Sequence, residues 1–218
     1  MFIDDKLRSE LNKQFNVLTK EVKLIMFTQE IECMYCRETR ILLEELVQTS
    51  DKLKLEVYNF VIDKDVVELY KIDKIPAIVI LDENNKDYGI RYYGIPSGYE
   101  FASLLEDIKM VGTDKVGLSN DVIERVKSID KPVHLQVFVT PTCPYCPSAV
   151  ITAHKFAYLN SNITADMIEA TEFPHLARKY NVMGVPRTVI NENDFVEGAV
   201  PEDYLLDKIF ENLAEVSN

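Results

Sequence analysis

Cys33-Met34-Tyr35-Cys36 and Cys143-Pro144-Tyr145-Cys146 hold all four cysteines of this 218-residue chain. The two pairs lie 110 residues apart (143 − 33). Ile75-Pro76 and Val185-Pro186 repeat the same 110-residue offset (186 − 76). One Cys-x-x-Cys carries little information. Two of them, each followed at the same distance by a β-branched residue and a proline, indicate a duplicated unit. Other residues keep this register: Tyr35 matches Tyr145, Ile41 matches Ile151, Tyr70 matches Tyr180, Val79 matches Val189 and Ile80 matches Ile190.

Outward from the cysteines, each half predicts the same series of elements. Leu7, Leu11, Phe15 and Leu18 share one helical face. Val22 to Phe27 is an apolar run suited to a buried strand, and Arg37 to Val47 carries Ile41, Leu42, Leu43 and Leu46 in helical register. Leu53 to Ile62 reads as a strand, Asp63 to Tyr70 as a short helix and Ala77 to Leu81 as a strand. Asp82 to Asp87 then turns the chain into Gly89 to Tyr93, and Ser97 to Met110 closes the unit as a helix. In the second half the helices are Val122 to Ile129, Ala149 to Leu159, Pro174 to Tyr180 and Pro201 to Val216. Its strands are Val133 to Val139, Thr164 to Ala170, Arg187 to Ile190 and Phe195 to Gly198. Ser119 to Asp121 supply the cap of the first of these helices. Each unit thus runs αβαβαββα. The fold class is α/β, with domains at 1–115 and 116–218, each a mixed central sheet flanked by helices. The link, Val111 to Ser119 with Gly112 and Gly117, is short enough to favour packed over freely tumbling domains.

Composition narrows the function classes. A net charge of −12 argues against nucleic acid as a partner. Residues 1–110 carry 15 basic and 21 acidic groups and residues 111–218 carry 9 and 15, so each half is −6 and neither is a charged tail. The start, Met1-Phe2-Ile3-Asp4-Asp5-Lys6, shows no apolar signal segment, and the longest apolar run, Ile75 to Leu81, is far short of a membrane span. No membrane partner and a cytoplasmic location are expected. Cysteines confined to Cys-x-x-Cys pairs in such a protein point to redox catalysis or metal binding rather than structural stapling.

The element order, with Cys-x-x-Cys after the first strand and proline before the third, resembles the thioredoxin fold. Cys143-Pro144-Tyr145-Cys146 looks like the glutaredoxin active-site motif. The tandem arrangement resembles the protein disulfide oxidoreductases of archaea and thermophilic bacteria. The segments that carry this resemblance are Pro141 to Pro147, Ala153-His154-Lys155-Phe156-Ala157 and Val185-Pro186. The resemblance spans nearly the whole chain and is stronger in the second half; Met34 is less characteristic. It implies thiol–disulfide exchange with protein substrates by cysteine alone, with no bound cofactor. It also implies a partner system such as a flavin-dependent thioredoxin reductase with NADPH. Ile75-Pro76 and Val185-Pro186 look like the cis-prolines of this superfamily, whose preceding residue offers a backbone edge to substrate; an ordinary trans proline opening an edge strand is the alternative.

Thiol–disulfide exchange needs an attacking thiolate and a second thiol that releases the mixed disulfide. A cysteine at a helix N-terminus gains a lowered pKa from the free N–H groups there. Cys33 and Cys143 are therefore assigned as nucleophiles, and Cys36 and Cys146 as resolving thiols, with each helix expected to open at the first cysteine. The sequence leaves two rivals: an electron-transfer module for a peroxide-reducing system, and a zinc-stabilised binding or holdase module using all four cysteines. In the tandem modules fused to some flavoprotein reductases one site usually lacks its cysteines, whereas both are complete here.

The two sites are not equivalent. Glu30 and Glu32 oppose a thiolate at Cys33 while Arg37 favours it; Thr140, Pro141 and Thr142 bring no charge to Cys143. Pro144 fits the first helical position, and Pro147 removes a backbone donor from the first turn. Six residues before each first cysteine, where thioredoxin-like chains often carry a buried carboxylate, stand Phe27 and Val137. Glu169 is the substitute candidate, Asn59 takes the matching place in the first unit, and a solvent-exposed strand-end carboxylate is the plainer expectation. His134, His154 and His175 are scattered and read as structural or solvated. Asp82 to Asp87 reads as a hairpin turn, because Tyr93 replaces the glutamate a calcium loop would need and the central glycine is missing. Asn162-Ile163-Thr164 is a sequon without meaning in a cytosolic protein.

Overall fold

The computed structural model describes residues 2–215. The chain forms two compact units. The first holds the residues up to Asp87 with Tyr92–Ile95 and Leu105–Lys115, and the second holds Tyr88–Arg91, Pro96–Leu104 and the chain from Val116 onward.

The first half runs α1 (Asp5–Phe15), β1 (Val22–Thr28), α2 (Cys36–Val47), β2 (Leu53–Asn59), α3 (Lys64–Leu69), β3 (Ala77–Asp82), β4 (Asp87–Tyr93) and, after a 3-10 turn at Gly98–Glu100, α4 (Phe101–Thr113). β1 pairs parallel with β2 and antiparallel with β3, which makes the sheet mixed as expected. β1 and β3 are buried along nearly their whole length, and that explains the apolar runs Leu24 to Phe27 and Ala77 to Leu81. Asp4 caps α1 by accepting from Leu7 N at 2.8 Å. Phe60 to Ile62, predicted as strand, form a turn instead: the Asn59 side-chain oxygen accepts from Val61 N and Ile62 N at 2.9 and 3.0 Å. Asp82 Oδ1 likewise accepts from Asn84 N and Lys86 N, so this acidic stretch is the expected hairpin turn. Gly112 is not a linker residue. It lies in the last turn of α4, where a Cβ would strike Leu18, and its carbonyl takes the Thr19 N–H at 2.9 Å.

The second half runs α5 (Asn120–Lys127), β5 (Val133–Val139), α6 (Cys146–Leu159), β6 (Ile163–Glu169), α7 (Pro174–Lys179), β7 (Arg187–Ile190), β8 (Asp194–Glu197) and α8 (Glu202–Glu215). Ser119 caps α5 as expected, accepting from Val122 N at 3.3 Å. β5 pairs parallel with β6 and antiparallel with β7, which pairs antiparallel with β8, so the topology of the first half is repeated. Leu135, Val137, Val150, Phe156, Leu206 and Ile209 are wholly buried between this sheet and its helices. Val216, assigned to the last helix from sequence, lies outside the described residues. Among the described residues no helix is long and apolar enough to cross a membrane.

The second unit also takes in two stretches that precede it in the chain. Tyr88 stacks on Tyr158 of α6 with ring centroids 4.4 Å apart. Tyr99 N donates to the Pro141 carbonyl at 3.0 Å. Gly98 beside it has φ +60°, and a Cβ there would collide with that same carbonyl. Only glycine allows this backbone to approach the loop before Cys143 so closely.

Candidate active sites: two disulfides ahead of two helices

In both units the central strand ends just before the cysteine loop, so the buried parallel ladder fixes where the first cysteine emerges. Each pair is closed as a disulfide, Cys33 with Cys36 and Cys143 with Cys146, with Cα atoms 5.5 Å apart in both. All four sulfurs are thus engaged within their own pairs. Among the described residues no group of three or more His, Cys, Asp or Glu side chains is placed to hold a metal ion.

The helices begin at Cys36 and Cys146, not at the first cysteines as expected. The physical reason is visible in the second unit. Cys146 N, the first helical donor, points back to Cys143 Sγ at 3.2 Å, so the sulfur takes the place a capping oxygen would occupy. In the second unit an N–H of the helix start still faces the sulfur, which is the placement the charge argument requires. Pro144 therefore lies before the helix and Pro147 occupies its second position, where no intrahelical donor is required; the expected loosening of the first turn has no cause. Cys143 is 8% exposed and Cys146 is fully buried, while the flanking Tyr145 is 70% exposed.

Both proline bonds, Ile75-Pro76 and Val185-Pro186, are cis. The Val185 carbonyl oxygen lies 3.7 Å from Cys143 Sγ, so residues forty-two positions apart in sequence meet at the second site.

The first site is more open. Cys33 is half-buried, Cys36 is buried, and both line a cleft of about 490 Å³ with Arg37, Arg40, Asn59 and Asp63. Sequence reasoning finds Arg37 but misses Arg40 and Asp63; the one-turn spacing of the two arginines on α2 is the available signal. Glu30 lines this cleft as well. Glu32, next to Cys33, takes the left-handed region at φ +60°, a strained choice for a glutamate. Phe27 and Val137 are both fully buried, so the usual carboxylate place is apolar in each unit.

Glu169 is not solvent-exposed. It is 2% exposed, its carboxylate accepting from Thr171 N, Thr171 Oγ and Glu172 N at 2.7–3.2 Å. It holds the turn after β6 just as Asn59 holds the turn after β2. Charge is a poor guide to its exposure because local backbone donors replace water. His154 is buried on α6, whereas His134 pairs with Asp166 at 2.6 Å across β5 and β6.

A thioredoxin-domain family profile matches residues 133–211. The chain superposes on a protein disulfide oxidoreductase from Aeropyrum pernix with a TM-score of 0.88, 32% identity, and coverage of 94% of this chain and 91% of the other. The chain belongs to the tandem thioredoxin-fold proteins. Within this family it is also similar to the alkylhydroperoxide reductase AhpF of Enterococcus faecalis, with a TM-score of 0.89 and 27% identity over 96% of this chain and 100% of that chain. Among curated proteins, an NADH dehydrogenase of Bacillus subtilis is 25% identical over 96% of this chain. The chain spans about 38% of the length of that relative.

Proposed function

We propose that this chain is a protein disulfide oxidoreductase exchanging disulfides with protein substrates at two Cys-x-x-Cys sites, one in each repeat, 1–115 and 116–218. In the reducing direction the thiolate of Cys33 or Cys143 attacks a substrate sulfur. The substrate S–S bond breaks, a mixed disulfide forms, and the departing sulfur takes up a proton. Cys36 or Cys146, having lost its proton, then attacks the mixed disulfide; the substrate leaves as a dithiol and the enzyme disulfide closes. Two electrons pass from enzyme to substrate, and oxidation is the same path reversed.

The observation that carries this reading is at the second site, where the helix-start N–H of Cys146 meets Cys143 Sγ beside the Val185 carbonyl. The N–H stabilises negative charge on the attacking sulfur. The Val185-Pro186 and Ile75-Pro76 backbones are the substrate edges in this reading. The reductant we propose is a flavin-dependent thioredoxin reductase drawing on NADPH, in a cytoplasmic setting. Reduced protein titrated against glutathione tests the function: each single-site variant should show one two-electron transition and reduce insulin disulfides. A variant retaining one intact pair that neither titrates nor reduces insulin would refute the assignment of that pair.

Similarity to the alkylhydroperoxide reductase AhpF supports a second reading, in which the same exchange relays electrons within a peroxide-reducing system. Peroxide turnover by a flavoprotein reductase and a thiol peroxidase, with and without this protein, separates the two.

A further inference from the structure

Next to the cleft at Cys33 lies a shallow trough of about 550 Å³, lined by Glu30, Ile31, Glu32, Val61 and Ile62 with Gln29 and Asn59. Gln29, Glu30 and Asn59 line the cysteine cleft too, so trough and cleft share a wall. Its apolar residues are presented outward: Ile31 is 76% exposed, Ile62 77% and Val61 57%. The turn held by Asn59 sets the last two in this position. Three large aliphatic side chains exposed together beside a redox disulfide mark a contact surface. The two charged residues of this trough are carboxylates, and both are exposed.

The second unit provides an internal comparison. The trough of about 560 Å³ found there runs along α7 from Ala170 to Met183 and shares only Thr171 with the positions that match the first trough. At the 110-residue offset, Glu30 and Glu32 become Thr140 and Thr142, Ile31 becomes Pro141, and Val61 and Ile62 become Thr171 and Glu172. The loop before the first cysteine thus carries acid in one unit and neutral residues in the other. Arg37 and Arg40 stand in the cysteine cleft and do not line the trough.

We propose that Glu30 and Glu32 make the first site selective for disulfides in segments that pair an apolar side chain with flanking lysine or arginine, while the second site lacks this preference. The inference rests on the exchange function proposed above and adds the substrate class of one site. An apolar side chain would seat on Ile31, Val61 and Ile62, and flanking cations would meet the two carboxylates. Overall negative charge favours basic partners at both sites equally, so only the difference between sites reports the trough.

The test uses full-length Cys143→Ser/Cys146→Ser and Cys33→Ser/Cys36→Ser chains, reduced with a dithiol and freed of it. Each is mixed with three disulfide peptides of one apolar sequence flanked by lysine, glutamate or glutamine. The first site should reduce the lysine peptide about fivefold faster, relative to the glutamate peptide, than the second site does, and added salt should erase the excess. Adding Glu30→Gln/Glu32→Gln to the first-site chain should bring its lysine-to-glutamate ratio down to that of the second site. Exchange with the glutamine peptide but equal ratios at both sites overturns the selectivity and leaves the exchange function standing. No exchange with any peptide at either site overturns both.

Discussion

Cys33 stands half-buried in a loop with a left-handed glutamate before it and two arginines across an open cleft, whereas Cys143 is nearly covered, with a helix-start N–H on one side and a carbonyl on the other. The strands beneath them pair alike, and both disulfides span the same Cα separation of 5.5 Å. What differs is the rim. Duplication preserved the buried ladder because a slip of one residue would turn a whole strand face outward. No such constraint holds loop side chains, which leaves charge and access free to diverge.

The largest expected effect separates the two pairs directly. Cys143→Ser/Cys146→Ser should lose about tenfold or more of the insulin-reducing rate, and Cys33→Ser/Cys36→Ser about threefold or less, because the Cys146 N–H favours the Cys143 thiolate. The reverse ranking would mean that access at the open cleft outweighs thiolate stabilisation.

Gly98→Ala should act on the second site alone. Its Cβ would push on the Pro141 carbonyl two residues before Cys143, in a backbone region that already disfavours alanine. A stability loss of about 1–3 kcal/mol in denaturant unfolding is expected. The second-site rate, measured in the Cys33→Ser/Cys36→Ser background, should fall several-fold. An unchanged rate would show that this contact does not position Cys143.

A rim graft sharpens the comparison further. Thr140→Glu/Thr142→Glu gives the second site the acidic loop of the first. Like charge disfavours a thiolate, so the pH–rate profile at Cys143 should shift upward by about one unit or less, with salt reducing the shift. A downward shift would exclude the electrostatic account of site inequality.

The smallest effect concerns the first unit only. The Ile3 and Phe2 backbone N–H groups donate to the Glu45 carboxylate at 2.8 and 2.7 Å and, Ile3 foremost, hold its pKa below the ordinary glutamate value. The matching residue in the second unit is Lys155. A carboxyl whose pKa is lowered by folding stabilises the folded state above its unfolded pKa and loses that contribution as pH falls through the folded one. Glu45→Gln should therefore lower stability slightly at neutral pH, and the difference from the unaltered chain should shrink as pH falls through the lowered Glu45 pKa. A difference that persists unchanged into acid would point to packing instead.

Much of this is legible in the sequence. β5 and β7 fall on the predicted residues: β5 alternates Val133, Leu135 and Val137 with His134 and Gln136, and β7 ends on Val189-Ile190, the match of Val79-Ile80 in the first repeat. The two disulfides and the positions of the prolines follow from spacing and resemblance. Helix starts are less legible: a sulfur can replace a capping oxygen at Cys146, and no periodicity reports that. The turn after β2 reads as strand because Val61 and Ile62 are apolar, although Asn59, a residue that favours such turns, stands two positions before Val61. Glu169 misleads in the opposite sense: its burial depends on donors from Thr171 and Glu172, which converge only once the turn exists. The open cleft needs Arg40 and Asp63 from separate elements to converge, which no single stretch of chain announces.

The second compact unit includes Tyr88–Arg91 and Pro96–Leu104, residues that the repeat pattern assigns to the first copy. A fragment cut at Val116 would keep Cys143 and Cys146 yet strip Tyr158 of its stacked ring and Pro141 of its backbone donor. The sequence repeat and the compact unit therefore end at different residues. Anyone exchanging halves between relatives, or expressing one alone, would have to carry these two short stretches along with the half that follows them.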